Sequence, residues 1–258
     1  MFDFVVAHSG MKNWFYLMSQ PQTCWNDEHI DVILYYLRKK AKLQTQEQYI
    51  YTIGNCLYKV YVNNVYDRYC QQQPKVFLNK ECLINIINGF SIPAGFPWHL
   101  VDEVYIPINY GDKFYWVLVV VVLKEKRIRV YDSTLQRKYS RTLSEIQKLA
   151  KILPTYLDMR GFLDQKVRTD WLTIEAHKDK MANPFDVQYL HEIAQQTIGI
   201  LDCGPFVAAY AEYLSDGLQV PNDGLDAGLL RKRYTALLWK YGEAKAQKPY
   251  ATDIKDPR

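Results

Sequence analysis

Eight consecutive residues, Trp116 to Leu123 (WVLVVVVL), carry no charged side chain, and five of them are valine. A run that is apolar at every position, rather than at alternate ones, belongs to a strand covered on both faces. Its β-branched residues weigh against a buried helix. Any fold for this chain must therefore be built around a central strand with cover on both sides. Its neighbours are also legible. Val104 to Ile108 is apolar and β-branched, and Asn109-Tyr110-Gly111-Asp112 offers a turn. Lys124-Glu125-Lys126 is polar, and Arg127 to Tyr131 (RIRVY) alternates. The expectation is a β-meander.

Helical patterns flank it. Ile30, Ile33, Leu34 and Leu37 make one apolar stripe, with Asn26 or Asp27 to cap its start and Arg38, Lys39 and Lys40 at its negative end. Tyr49 to Val65 is open between strand and helix. Cys82 to Ile87 closes a helix before Gly89, and Leu143 to Leu157 is amphipathic with Pro154 in its last turn. Val187 to Ile193 reads as a further strand. A helix follows Cys203 and can end at Gly217, and another covers about Leu229 to Tyr241. Strands and helices without βαβ alternation predict an α+β fold. No linker, repeat or low-complexity tract divides the 258 residues, so one domain is expected.

Several function classes lose support here. Basic clusters (Lys124, Lys126, Arg127 and Arg129; Arg137, Lys138 and Arg141) have acidic residues close by, and the net charge is only +4, which gives no strong nucleic-acid signal. No segment reaches the roughly 18–20 apolar residues of a membrane helix. The start, MFDFVVAHSG, has no cationic region of a signal peptide. Five scattered cysteines without a C-x-x-C pair fit a reduced intracellular protein, with no disulfide framework and no metal site.

One cysteine stands out by position. Cys203, in Leu201-Asp202-Cys203-Gly204-Pro205-Phe206, sits at the start of an amphipathic helix, where the dipole and unpaired N–H groups favour thiolate. Gly204 would let a substrate backbone approach, and Pro205 fits a first helical turn. The plainer alternative is a small packing residue at a helix start. Asp132 directly follows the RIRVY strand. A turn centred between Lys124 and Glu125 sets it opposite Val117, two residues from Tyr115 on the same face, whereas a one-residue shift separates them. Gln195 and Gln196 supply amide donors of the kind that hold an oxyanion.

At these residues the chain resembles a known family. The runs YWVLVVVVLKEKRIRVYDS (Tyr115 to Ser133), QQTIGILDCGPFVAAYAEYLSDG (Gln195 to Gly217) and WNDEHIDVILYYLRKK (Trp25 to Lys40) are similar to the catalytic domain of ubiquitin-like-protein-specific proteases, which include the SUMO proteases. The similarity is greatest to the expanded, often transposon-associated set in plant genomes, and it runs from Trp25 to about Tyr241. It implies a papain-related α+β fold with a mixed central sheet, a His-Asp-Cys triad and no cofactor or metal. Cys203 matches the nucleophile, Asp132 the orienting acid and Gln196 the oxyanion residue. Trp116 and Trp25 match the indoles that wall the tunnel for a Gly-Gly tail; the plainer alternative is that both are core residues. The implied partner is a SUMO-like modifier or its conjugates, met by a monomer in the nucleus or cytoplasm. On this basis the chain divides into an irregular segment 1–22, a catalytic-type domain 23–242 and a polar tail 243–258.

The family histidine stands immediately before the tryptophan of the central strand, and here that residue is Tyr115. A phenol of pKa near ~10 cannot replace an imidazole of pKa ~6.5 as the base that activates a thiol. Of the five histidines, His99 is the one conceivable stand-in, although it is expected to pack beside Trp98; His8, His29, His177 and His191 lack motif support. Three readings follow: an isopeptidase, a pseudoprotease that binds its modifier without cleaving it, and a decaying copy with no selected role.

Overall fold

In the computed structural model the described residues are 12–21, 23–43, 51–70, 77–90, 92–110, 115–134, 140–158, 184–197 and 202–246. The elements in chain order are α1 (Lys12–Ser19), α2 (Asp27–Leu43), β1 (Tyr51–Ile53), α3 (Tyr58–Cys70), α4 (Phe77–Ile87) and a 3₁₀ turn at Trp98–Leu100. There follow β2 (Glu103–Tyr110), β3 (Tyr115–Val122), β4 (Arg127–Tyr131), α5 (Ser140–Asp158), β5 (Asp186–Leu190), α6 (Cys203–Ser215) and α7 (Ala227–Ala246).

The sheet has five strands in the order β1-β2-β3-β4-β5. The inner three form the expected antiparallel meander, and β1 and β5 join its edges in parallel. Every residue of β3 is buried. Cover comes from both faces: α6 packs on β3 with α2 and α7 behind it, while α3 and α5 pack over β2 and β5. Side chains on β2 show the alternation, since Tyr105 reaches α6 to donate to the Leu214 carbonyl at 3.2 Å, while Ile108 lines a small cavity with Tyr58, Val62 and Leu149. Leu118 pairs with Tyr131 and Val122 with Arg127, the register required for Asp132 and Tyr115 to share a face.

Local chemistry explains the element ends. The Asn26 side chain accepts from the His29 backbone N–H at 3.2 Å and so caps α2, whose stripe of Ile30, Ile33, Leu34 and Leu37 is buried. Gly89 has φ +78° after α4. Gly217, at φ +71°, donates to the Leu214 carbonyl, while the next residue, Leu218, donates to Tyr213, the paired bonds of a Schellman close. The open stretch 49–65 resolves into both alternatives, with β1 first and α3 after it. Pro154 does not stop α5. Having no N–H, it leaves the Ala150 carbonyl without its helical donor, and Phe185 N–H supplies one at 3.1 Å just before β5. The expected turn at 109–112 begins later than predicted, because β2 continues through Tyr110; Gly111 and Asp112 lie outside the described residues.

Two expectations about the ends need correction. Residues 12–19 of the segment read as irregular form α1, which packs on α7 with Phe15 and Met18 buried. Aromatic residues without clear periodicity had concealed it. The polar tail placed from Glu243 begins too early, since α7 runs to Ala246; 247–258 lie outside the described residues. Of the basic clusters, Lys124 pairs with Asp102, Arg127 with Glu125 and Asp186, and Arg129 with Glu103 and Glu125; Arg137 and Lys138 lie outside the described residues. No helix of the described residues is long and apolar enough to cross a membrane.

Two predictions concern the packing around Trp25. A Cβ added to Gly204 would lie 2.8 Å from the Trp25 Cβ, so this glycine serves indole packing and not, as expected, a substrate backbone. Helix propensity alone would make Gly204→Ala stabilising by roughly 1 kcal/mol. The clash reverses the sign, and urea denaturation should show a loss of about 1–3 kcal/mol. His29 is stacked on Trp14 at 4.8 Å between centroids and lies parallel to Trp25 at 6.3 Å. Burial, and then the Arg231 charge, lower its pKa to about 4. The unfolded chain therefore binds a proton that the folded one refuses, and stability falls as pH drops from ~6.5 towards 4. Replacing the ring by Phe should flatten this part of the pH–stability curve, by up to ~3 kcal/mol between the two limits; equal slopes in both proteins would refute it.

Candidate active site

The central strand begins with the two residues on which the site turns. The Trp116 backbone N–H donates to the Cys203 Sγ at 3.1 Å, which brings the first residue of α6 against the start of β3. The Tyr115 hydroxyl donates into the Asp132 carboxylate, 2.6 Å from Oδ1 and 2.7 Å from Oδ2. Thr134 holds the same carboxylate through its N–H and its hydroxyl, each 2.8 Å from Oδ1, and its hydroxyl also meets that of Tyr115. Cysteine, phenol and carboxylate are thus gathered at one end of the sheet, in the chain order and register the sequence predicts.

Gln196 and not Gln195 joins them. Its backbone N–H donates to the Ser133 carbonyl at 3.1 Å, beside Asp132, while its side-chain oxygen accepts from the Asp202 N–H at 2.8 Å, beside Cys203. Gln195 is exposed. The loop carrying Gln196 is pinned at Ala194, whose N–H donates to Pro221 at 2.7 Å and whose carbonyl accepts from the Tyr210 hydroxyl on α6.

The electrostatics depart from expectation at the thiol. A helix N-terminus was expected to favour thiolate, but Cys203 is 0% exposed and burial pushes its pKa up to about 12, outweighing the bonds from the Trp116 and Cys203 N–H groups. The nearby Asp132 charge adds to the rise. At pH 7 such a thiol is ionised in about one molecule in 10⁵. The Tyr115 phenol is also raised above its ordinary value, first by burial and then by Asp132. Among the described residues, no group bonded between the carboxylate and the sulfur can carry a positive charge.

The tryptophans are core in this structure. Trp116 is 0% and Trp25 1% exposed, the Trp116 indole donates to the Trp25 carbonyl at 2.8 Å, and the Trp25 indole donates to the Met18 carbonyl at 3.0 Å. They stand together beside Cys203, yet neither lines an open surface. His99 is ruled out by topology. It precedes β2, and Glu103 at the start of β2 pairs with Val122, the far end of β3 from Tyr115, more than about 20 Å along the strand. His191 follows β5 and is exposed. Sequence reasoning missed Arg231, fully buried on α7, which bonds Asp202 at 2.9 Å through Nε and again through Nη2. Its sequence context, Leu-Arg-Lys-Arg, reads as an exposed basic run and gives no sign of burial. Among the described residues no group of three or more His, Cys, Asp or Glu could hold a metal ion.

The model of the Ulp1 protease family, C-terminal catalytic domain, matches residues 25–243. No curated protein matches the chain. Among solved structures, the SUMO protease Ulp1 with its catalytic cysteine oxidised to a sulfinic acid is 16% identical, with TM-score 0.55, covering 92% of this chain and 88% of that one. The C-terminal Ulp1 protease domain in complex with Smt3, the yeast ortholog of SUMO, is 18% identical, with TM-score 0.51 and coverage of 88% and 80%. The Ulp1-like SUMO protease catalytic domain of Chaetomium thermophilum is 18% identical, with TM-score 0.51 and coverage of 86% and 74%. At these identities the structural likeness is one of fold. The family match spans most of the sequence and contains each of Cys203, Asp132, Tyr115 and Gln196, and so the chain belongs to the Ulp1 protease family as a C-terminal catalytic domain.

Proposed function

We propose that this domain is a cysteine-type peptidase scaffold that recognises the Gly-Gly tail of a SUMO-like modifier, with Cys203 as nucleophile, Asp132 as the acid and Gln196 as the oxyanion donor, and that its hydrolytic rate is severely reduced. The observation that carries this is the Tyr115 hydroxyl bonded to both oxygens of Asp132, on the residue next to the one whose N–H meets Cys203. An imidazole there would accept the thiol proton and remain as a cation beside the thiolate. A phenol oxygen is far too weak a base to take and keep the thiol proton, and giving up its own proton beside Asp132 would place two negative charges together. Losing one triad member commonly costs about 10⁴-fold or more in rate, with some catalysis left to the oxyanion donor and binding.

The burial of Cys203 favours a second reading, in which the domain binds its modifier without cleaving it. Binding needs no ionised sulfur, and Cys203 is fully buried. On either reading the domain acts as a monomer in the nucleus or cytoplasm.

A SUMO-type precursor and an electrophilic C-terminal modifier probe test the first reading. Hydrolysis by the natural chain should be at least 10³-fold slower than by Tyr115→His, in which the missing base is restored. Rapid turnover by the natural chain that disappears in Cys203→Ala would overturn it. Alkylation of Cys203 should rise roughly tenfold per pH unit between pH 7 and 9 in the natural chain, as a thiol far below its pKa requires, and should flatten in Tyr115→His. For the second reading, titration calorimetry with SUMO should detect binding that Trp116→Ala abolishes.

A further inference from the structure

Asp202 occupies the N-cap of α6, where an aspartate ordinarily accepts from the second or third N–H of the helix. It makes no such bond. The third helical residue is Pro205, which has no N–H to offer, and the carboxylate turns instead to Arg231. Arg231 is 0% exposed and holds one carboxylate oxygen through both Nε and Nη2. Its Nη1 donates to the Met18 carbonyl at 3.4 Å, and its guanidinium lies 5.7 Å from the centre of the Trp25 ring. A buried ion pair is a poor source of net stability compared with apolar packing, so its place beside the nucleophile suggests a geometric task.

The backbone N–H of Asp202 shows what that task is. It can only donate, so the Gln196 atom facing it at 2.8 Å is the amide oxygen, and the amide –NH₂ must face the other way. Were Asp202 to move, Gln196 would lose the contact that decides which way its amide points, and Cys203, the next residue, would move with it. We infer that Arg231 is a positioning residue: through Asp202 it fixes both the donor face of Gln196 and the first turn that presents Cys203. This rests on the roles proposed above for those two residues. Geometry held to within a fraction of an ångström by buried, doubly bonded supports is what preorganised sites require.

The test separates positioning from general stability. Arg231→Met and Arg231→Lys are compared with Leu238→Ala, a buried change on the same helix away from the site. Amide exchange by NMR at Asp202 is referred to that at Val119 in β3. Arg231→Met should speed exchange at Asp202 at least tenfold more than at Val119 and shift the Gln196 side-chain amide resonances. Arg231→Lys, which keeps the charge and can keep one bond, should give a smaller change in the same direction. Leu238→Ala should affect the two backbone amides alike. In a Tyr115→His background, Arg231→Met should lower kcat on a fluorogenic Gly-Gly modifier substrate at least tenfold with KM within twofold. Equal acceleration at Asp202 and Val119 in both Arg231 variants overturns the inference and leaves the pair as core packing. If Tyr115→His fails to turn over, the protease reading falls, while the exchange ratio still decides what Arg231 does.

Discussion

The hydrogen bond from the Trp116 N–H to the Cys203 sulfur joins the two halves of the molecule. On one side is a strand buried along its whole length, which fixes the sheet; on the other is the first turn of the helix that covers it. Because β3 cannot slide by a residue without turning its neighbours inside out, the start of α6 is held to one place, and the carboxylate at the end of β4 is held to another. The site is a corollary of that register.

What occupies the site is electrostatically incomplete. A thiol protease divides the work among a sulfur that gives up a proton, a ring that takes it, and an acid that steadies the resulting cation. Here Asp132, proposed above as the acid, is engaged by a phenol that donates into both of its carboxylate oxygens. Burial raises the pKa of the sulfur, and both neighbouring tryptophans are buried with it.

Much of this was legible in the sequence because the signals are local or periodic. The valine run announced β3, the polar Lys-Glu-Lys break set the β3–β4 register, and the apolar stripe of Ile30 to Leu37 set α2. The alignment of Asp132 with Tyr115 was one of the registers that counting about the turn allowed, and the strand pairing selects it. What escaped was whatever depended on the far side of the fold. Nothing near Arg231 hints that a residue some thirty positions after Asp202 is buried against it. The thiol's raised pKa was missed because the helix start was visible in the sequence, whereas the burial of Cys203 in the assembled core was not. Gly204 was read as room for a ligand, and the room is taken by the Trp25 side chain.

The proline in α5 shows how a helix can direct a strand through its backbone as well as through packing. By withholding one N–H, Pro154 leaves a carbonyl four residues back unclaimed, and the residue just ahead of β5 claims it. An imino acid thus acts as a docking address for a distant piece of backbone. Drift at this position to alanine would close the helix on itself and erase the address, loosening the outermost strand through its backbone.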